Sequence, residues 1–413
     1  MGIKNLNALI KKLCNVENIF KNVPASEFAS YKIAIDATNQ VCVLWSQAYK
    51  EVLNRTDISV DEPNQADIEN IFLLKAQSFI NRILTARCTP IFVFDGKHPA
   101  QKSDTQKKRR EIKQGIRDKI TSYRKELESV DILDRTPKMN IELRKLYGQI
   151  VSPSYAAVGV LRNILTDIGI PVLQARGEAE ELCSMLCLDG YADAVMSTDT
   201  DVLAYSCSLL ITGFGGNIWN SKTRSTETHF TAVYLNSILQ ELKLPFNTFV
   251  DLCIMSGCDY NKNIPNIAGG KSYKLLSQYG SIEKLPEKFD TTCLNYEFCR
   301  NQFKYKKSSD ISDTEFTDLN IKVELLQNDR TILNKYGFEK WTSELIALYH
   351  SLPLSKERVV INRPTGAIPR KLRIINFKTG EPVKTNDSNS NSKFKSEAED
   401  FIDSMISDLE LNQ

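Results

Sequence analysis

The segment Lys32-Ile33-Ala34-Ile35-Asp36 is a short apolar run that ends in an acid. Such a run is typical of a strand that is buried on both faces of a parallel sheet. Segments with helical periodicity, such as Asp67–Ala86 and Tyr155–Ile168, lie between similar runs at Pro90–Phe94, Ile170–Leu173, Ala194–Met196 and Leu209–Thr212. This alternation predicts an α/β fold with a mainly parallel, twisted sheet flanked by helices.

Two regions of the chain depart from this alternation. Lys102–Val130 is charged and helix-prone, and Thr136–Gln149 has the pattern of a second helix. Together they predict a helical insertion over one edge of the sheet. From Asn247 onward the pattern is helical again, with a short turn at Pro265–Lys271. The stretch Thr385–Ser392 consists almost entirely of Asn and Ser and is expected to be disordered.

The composition limits the class of protein. With 42% hydrophobic and 25% charged residues, the chain is expected to be a globular protein with a sizeable core. No apolar run reaches the roughly 18–20 residues that span a bilayer, and the start lacks the apolar core of a signal peptide. Ten cysteines without a CxxC pattern favour a reducing compartment and no zinc site.

Positive charge is concentrated in one part of the chain. The net charge is only +2, but Lys97–Lys125 contains eleven Lys and Arg against three acids. A balanced total with segregated signs predicts a basic surface in one place and acidic clusters in another.

Acids follow several of the predicted strands directly. Asp36, Asp95 and Asp199 each come at or just after the end of an apolar run. In an open parallel sheet, ligands bind beyond the carboxyl ends of the strands. An Asp after a strand can equally be a turn residue or a helix N-cap, so each acid alone leaves both interpretations open.

Further acids strengthen the case for a metal site. Glu178 and Glu180 form one closely spaced pair, Asp199 and Asp201 form another, and Asp259 follows a long apolar helix. Seven converging acids would repel one another strongly without cations. Divalent metals with oxygen ligands offset this repulsion, and two such ions about 4 Å apart can support phosphodiester cleavage. The spacing leaves open a metal nuclease or another metal-dependent phosphotransfer enzyme.

The order of these motifs resembles the flap endonuclease family of structure-specific 5′ nucleases, with its exonuclease-1-like and XPG-like branches. The resemblance covers roughly Met1 to Ile282. It rests on Met1-Gly2-Ile3, Ile33–Ala37, Phe94–Lys97 with Lys102 and Lys107–Arg110, Gly177–Glu180, Ser197–Leu203, and Ser256–Tyr260.

The resemblance implies a PIN-like nuclease core with a helical arch and a helix–two-turn–helix. It implies two or more Mg²⁺ ions, for which Mn²⁺ can substitute, and cleavage of 5′-flap or 5′-ended branched or nicked DNA in replication, recombination or repair. Glu178 would also hold a water. The implied metal ligands are Asp36, Asp95, Glu178, Glu180, Asp199, Asp201 and Asp259.

The resemblance also assigns roles to basic residues. Lys102 and Arg109 are seven residues apart, so a helix would place both on one face. They would steer the scissile phosphate and neutralise charge in the transition state; the alternative is a solvated helix face. The other implied DNA contacts are Gly2, Arg110, Lys113, Arg117 and Lys271, for the last four of which exposed surface is an equal alternative.

The chain departs from the family pattern in places. Asn266 and Ala268 stand where the helix–two-turn–helix usually has glycine, which puts a bound K⁺ ion in question, although Gly269 and Gly270 can supply flexible backbone. Cys42 stands where the flap branch often has an aromatic residue. No sliding-clamp box of the Gln-x-x-hydrophobic-x-x-aromatic-aromatic type is evident.

The implied organisation has five regions. Residues 1–100 form the first part of the nuclease core, 101–152 the arch, 153–245 the second part with the acidic pairs, 246–345 a helical DNA-binding region, and 346–413 a partly disordered extension. We expect a monomer that binds branched DNA and no membrane, in the nucleus or, for a viral enzyme, at a cytoplasmic replication site. The alternatives are an inactive scaffold that binds branched DNA and a 5′ ribonuclease of related fold.

Overall fold

A central sheet of seven strands organises the chain in the computed structural model. The structure describes residues 3, 5–58, 61–97, 103–131, 134–135, 137–220, 225–314, 330–338, 341, 357–359 and 374–376. The strand order is β1-β7-β6-β5-β2-β3-β4. The strands are β1 (Phe20–Pro24), β2 (Lys32–Asp36), β3 (Thr89–Phe94), β4 (Val172–Gln174), β5 (Ala194–Met196), β6 (Leu209–Asn220) and β7 (Ser225–Tyr234).

The predicted parallel core of the sheet is confirmed. β2 pairs in parallel with β3 and β5, β3 with β4, and β5 with β6. All five residues of β2 are buried, because this strand has neighbours on both sides and helices over both faces. β4 begins at Val172, two residues later than predicted from the apolar run.

Two antiparallel strands were not predicted. β7 pairs with β6, and β1 pairs with β7 at the far edge of the sheet. The predicted run Leu209–Thr212 covers only the first part of β6. The strand instead continues through register shifts between Ile211 and Gly213 and between Phe214 and Gly216, which interrupt its apolar alternation.

Helices cover both faces of the sheet. One buried cluster contains residues of α1 (Leu6–Leu13), α8 (Ala179–Leu188), α9 (Leu235–Leu242), α10 (Phe246–Ser256), α11 (Gly270–Tyr279) and α12 (Tyr296–Gln302). The opposite cluster contains residues of α3 (Ala37–Arg55), α4 (Gln65–Thr85) and α7 (Tyr155–Asp167). A short helix, α2 (Val16–Ile19), precedes β1.

The predicted insertion consists of two helices, α5 (Ser103–Glu128) and α6 (Pro137–Ile150). They pack on the region that follows α3 through a small core of their own, formed by Leu53, Ile58, Ile120, Leu127, Leu143 and Tyr147. Arg144 donates hydrogen bonds to the carbonyl of Leu53 and to that of Thr56, the latter at 2.8 Å. The insertion is therefore packed and hydrogen-bonded against the rest of the protein at the end of α3.

Segments late in the chain return to the core. Ala175, just after β4, forms an antiparallel bridge with Ser312, so the chain crosses back between predicted regions. α13 (Arg330–Lys335) is followed by the buried Phe338, and Trp341 Nε1 donates to Asn81 Oδ1 at 2.9 Å. β8 (Glu357–Val359) and β9 (Ile374–Asn376) form a separate antiparallel pair.

The predicted disordered stretch at 385–392 lies outside the described residues. No helix in the described part of the chain is both long and apolar enough to cross a membrane.

Candidate active site

The carboxyl ends of four adjacent parallel strands bring the predicted acids to one edge of the sheet. In space these strands are ordered β5, β2, β3, β4. Asp36 ends β2, Asp95 follows β3, the Glu178–Glu180 pair follows β4, and the Asp199–Asp201 pair follows β5. Acids that are up to 165 positions apart in the chain therefore meet because parallel strands end on the same side.

Asp36 is held in a buried position at the start of α3. Its Oδ1 accepts the backbone N–H of Asn39 at 2.9 Å, and Ser197 Oγ donates to its Oδ2 at 3.3 Å. Burial, followed by the charge of Asp95, raises the pKa of Asp36 to about 7. Asp36 is thus both the N-cap of a helix and an acid whose ionised form is destabilised by neighbouring negative charge. The N-cap interpretation and the metal-site interpretation are therefore compatible.

Asp95 connects three elements of the sheet edge. Its Oδ1 accepts the backbone N–H of Ala179, in the first turn of α8, at 2.7 Å. Its own N–H donates to Thr38 Oγ1 at 3.1 Å, and Gln174 Nε2 donates to its carbonyl at 2.6 Å. These contacts fix the position of Asp95 relative to α3, β4 and α8.

The first acidic pair opens α8. Glu178 is the N-cap residue and Glu180 lies in the first turn, and both are buried. Tyr260 Oη donates to Glu178 Oε2 at 3.1 Å. The pair is therefore in contact with the loop that follows α10.

The second acidic pair opens a 3₁₀ turn, Thr200–Leu203. Asp199 Oδ1 accepts the backbone N–H of Asp201 at 3.1 Å. Asp201 Oδ1 accepts the backbone N–H of Ile3 at 2.5 Å, which brings the first turn of the chain to the site. Burial, and then the charge of Asp199, raises the pKa of Asp201 well above its ordinary value.

Asp259 joins the cluster from the loop after α10. Its charge also raises the pKa of Asp201. Arg109 Nη2 lies 3.2 Å from Asp259 Oδ1 and 3.4 Å from Oδ2. The basic helix α5 therefore contacts the acidic cluster through Arg109.

The donor set suits hard divalent cations, because every predicted ligand offers carboxylate oxygens. The charges of Asp95 and Asp199 raise the pKa of Asp36, and the charges of Asp199 and Asp259 raise the pKa of Asp201. Within the described residues, no group of three or more His, Cys, Asp or Glu side chains is arranged to hold a metal ion. The fold thus gathers the acids at one edge without assembling a complete coordination shell.

The other predicted DNA contacts have different surroundings. Arg110 and Arg117 are exposed on α5. Lys113 Nζ donates to the carbonyl of Val151 at 3.1 Å and so ties α5 to the segment that leaves the insertion. Lys271 Nζ donates to the carbonyl of Asn266 at 3.0 Å. Gly2 and Lys102 lie outside the described residues.

The turn before α11 accommodates the departures from the family pattern. Asn266 has φ 61°, a left-handed conformation that Asn tolerates better than most residues, and Gly269 has φ 52°.

Cys42 is partly buried near the charges of Asp36, Asp95 and Lys113, which act on its pKa after the larger effect of burial. A small side chain therefore stands within electrostatic range of Asp36 and Asp95 at this position.

Sequence reasoning missed the polar residues that hold the acids. Ser197 contacts Asp36 and also accepts the backbone N–H of Asp199. In the sequence it is marked only by its position two residues before Asp199. Asn39 Oδ1 accepts the N–H of Thr198 at 3.1 Å and so ties α3 to the end of β5. Ordinary polar residues at strand ends and helix starts are too common for these roles to be recognised before the tertiary contacts are known.

Two family models match the chain and cover all seven acids. The XPG N-terminal domain matches residues 1–116, which include Asp36, Asp95 and Arg109. The XPG I-region matches residues 169–259, which include both acidic pairs and Asp259. Together they cover half of the chain.

Curated relatives match most of the chain. It is 28% identical to a probable RAD2-like endonuclease of Invertebrate iridescent virus 3, over 76% of this chain and 88% of that one. It is 29% identical to flap endonuclease 1 of Enterocytozoon bieneusi, over 77% and 79%. The fold is similar to that of the catalytic core of Rad2, solved in complex with DNA substrate, with a TM-score of 0.50 and 16% identity over 84% of this chain and 98% of that one.

Proposed function

Because the chain belongs to the XPG family of nucleases, we propose that it is a structure-specific 5′ nuclease that cleaves 5′-flap or other branched or nicked DNA. The observation that carries this proposal is that six of the acids follow four adjacent parallel strands, while Asp259, from the loop after α10, contacts Arg109. A viral RAD2-like endonuclease relative, a flap endonuclease 1 relative and the fold of the Rad2 core support it.

We propose Mg²⁺ as the natural cofactor, with Mn²⁺ as a substitute. The residues that would hold the ions, directly or through water, are Asp36, Asp95, Glu178, Glu180, Asp199, Asp201 and Asp259. Bound ions would supply Lewis-acid activation of the attacking water and charge stabilisation at the leaving oxygen. The raised pKa of Asp36 supports this assignment. Burial and neighbouring negative charges destabilise the ionised carboxylate, and a bound cation would offset this destabilisation.

The residues of the chain itself position the DNA. The Arg109 guanidinium is part-exposed and can bind a phosphate through two parallel N–H groups. It neutralises charge on the scissile phosphate, and we propose that Lys102 acts with it. Asp95 and Asp36, each fixed by hydrogen bonds from several elements, keep the acidic edge rigid while the phosphate enters.

The helical parts select the substrate. Exposed Arg110 and Arg117 on α5 would follow a single-stranded 5′ end, while the start of α11 with Lys271 would approach the duplex backbone. Nucleotides beside the cut must unpair to reach the acids, which costs a few kcal/mol and least at a junction or nick. This favours flaps and free 5′ ends over continuous duplex.

A potassium ion beside the turn before α11 is part of the proposal. Within the described residues, the buried Ser256 Oγ has no hydrogen-bond partner, so it could serve as an oxygen ligand. The neighbouring carbonyl of Met255 already accepts from Asn263 Nδ2 and Ser272 Oγ. Ser256 is therefore the residue on which the potassium proposal depends.

Cleavage of labelled flap, nicked, gapped and RNA substrates with Mg²⁺ tests the function. We expect products from the flap that begin with a 5′-phosphate, and loss of cutting in Asp199→Ala. Asp67→Ala, at an exposed acid in the first turn of α4, is the matched control and should cut normally. Cutting of RNA alone would favour the ribonuclease, and binding of branched DNA without cutting would favour the scaffold.

We place the enzyme at sites of DNA replication and repair, in the nucleus or, in a virus-infected cell, at a cytoplasmic replication site. The viral endonuclease relative supports including the second location. We propose that it acts as a monomer on branched DNA.

A further inference from the structure

Tyr260 makes a direct contact with one of the acids. Its Oη donates to Glu178 Oε2 at 3.1 Å, across 82 positions of sequence. Tyr260 follows Asp259 immediately, so the same short loop carries one acid and contacts another.

The ring of Tyr260 is anchored away from the acids. It packs edge-on against Phe298 of α12, with 6.3 Å between ring centroids. The fully buried Tyr205 also faces it, and Tyr205 packs edge-on against Phe303 at 5.1 Å. The Tyr260 hydroxyl can donate one hydrogen bond, and it donates this bond to the Glu178 carboxylate.

The Glu178 side chain does not cap the helix that it precedes. It stands at the N-cap of α8, but its side chain makes no capping hydrogen bond there. The N–H of Ala179 is taken by Asp95 Oδ1 instead. The Tyr260 phenol contacts the carboxylate of Glu178 from outside α8.

We propose that Tyr260 is a positioning residue for the nuclease site: its phenol sets the direction of the Glu178 carboxylate and ties Glu178 to the loop that carries Asp259. This inference rests on the proposed function. Partners that hold a metal-ligating carboxylate from behind typically change metal affinity or activity by 10-fold to 100-fold when they are removed.

The test uses the full chain with Tyr260→Phe, which removes one hydroxyl and keeps the ring. We expect the affinity of DNA-free protein for Mn²⁺, measured by titration calorimetry, to fall by roughly 10-fold. Flap cleavage should lose kcat by a similar factor with KM for the DNA unchanged. Tyr273→Phe is the matched control, because its phenol donates to the carbonyl of Leu242 outside the acidic edge.

A double-mutant comparison separates positioning from a general structural role. If Tyr260 acts through Glu178, adding Tyr260→Phe to Glu178→Gln should change Mn²⁺ affinity no further. Fully additive losses, or Mn²⁺ affinity and kcat in Tyr260→Phe equal to those in Tyr273→Phe, would overturn the inference. If the unaltered protein cuts no DNA, the proposed function fails, whereas the calorimetric comparison still decides the role of Tyr260.

Discussion

Arg109 Nη2 lies 3.2 Å from Asp259 Oδ1, and this contact joins the helical insertion to the acidic edge of the core. The Asp259 side chain is 8% exposed and that of Arg109 37% exposed, so the guanidinium covers the acid while remaining open to solvent. A substrate phosphate can therefore reach Arg109 at the position where the acids are concentrated.

Arg109→Ala should lower kcat for flap cleavage by roughly 100-fold, the loss that follows removal of one well-placed donor to transition-state charge. Single-turnover cleavage with saturating Mg²⁺ measures the effect. Arg110→Ala, at the exposed neighbour, is the control and should mainly weaken DNA binding in a salt-dependent way. A kcat for Arg109→Ala within twofold of the unaltered protein would remove Arg109 from the site.

Arg300→Met should destabilise the fold by about 3 kcal/mol, because it leaves a buried acid without its partner. Arg300 Nη2 lies 2.7 Å from Oδ2 of Asp251, which is 1% exposed in α10. Urea denaturation measures the change. Arg55→Met, at a pair on the surface of α3, is the control and should cost under about 1 kcal/mol.

The same arginine makes stability depend on pH through Glu283. The hydrogen bond between Arg300 and the Glu283 carboxylate lowers the pKa of Glu283 from 4.5 to about 2. Because the pKa of Glu283 is lower in the folded state, its ionised form stabilises the protein at pH values above the unfolded-state pKa. This stabilisation is lost as the pH falls from about 4.5 towards 2. The denaturation midpoint of the unaltered protein should therefore exceed that of Glu283→Gln at pH 6, and the gap should narrow below pH 4.5. A gap that is constant over this range would contradict the assignment.

Potassium should strengthen binding to nicked duplex DNA through Ser256. We expect tighter binding in K⁺ than in Na⁺ at equal ionic strength, and loss of this difference in Ser256→Ala, because the substitution removes the oxygen ligand. Fluorescence anisotropy with labelled nicked duplex in Ca²⁺, which avoids cleavage, measures both. Ser309→Ala, at an exposed serine, serves as the control. Equal binding in K⁺ and Na⁺ by the unaltered protein would exclude the potassium site.

The parallel core of the sheet could be predicted because its strands are short, apolar and separated by helices. β2 and β5 were predicted almost to the residue. β1 and β7 were missed because Phe20–Pro24 and Ser225–Tyr234 carry polar residues that pair at an edge or in a hairpin. Such strands are defined by their partners in the sheet, and no local pattern announces them.

The sequence by itself determined which acids are candidates for the site, because their order, their spacing and their place after strands are properties of the chain. Only the tertiary structure decided how each acid is held: that Asp95 caps α8, that Tyr260 contacts Glu178, and that Arg109 lies on Asp259. These contacts join residues that are 82 to 150 positions apart. Their geometry follows from strand order and helix packing, which local residue patterns do not encode.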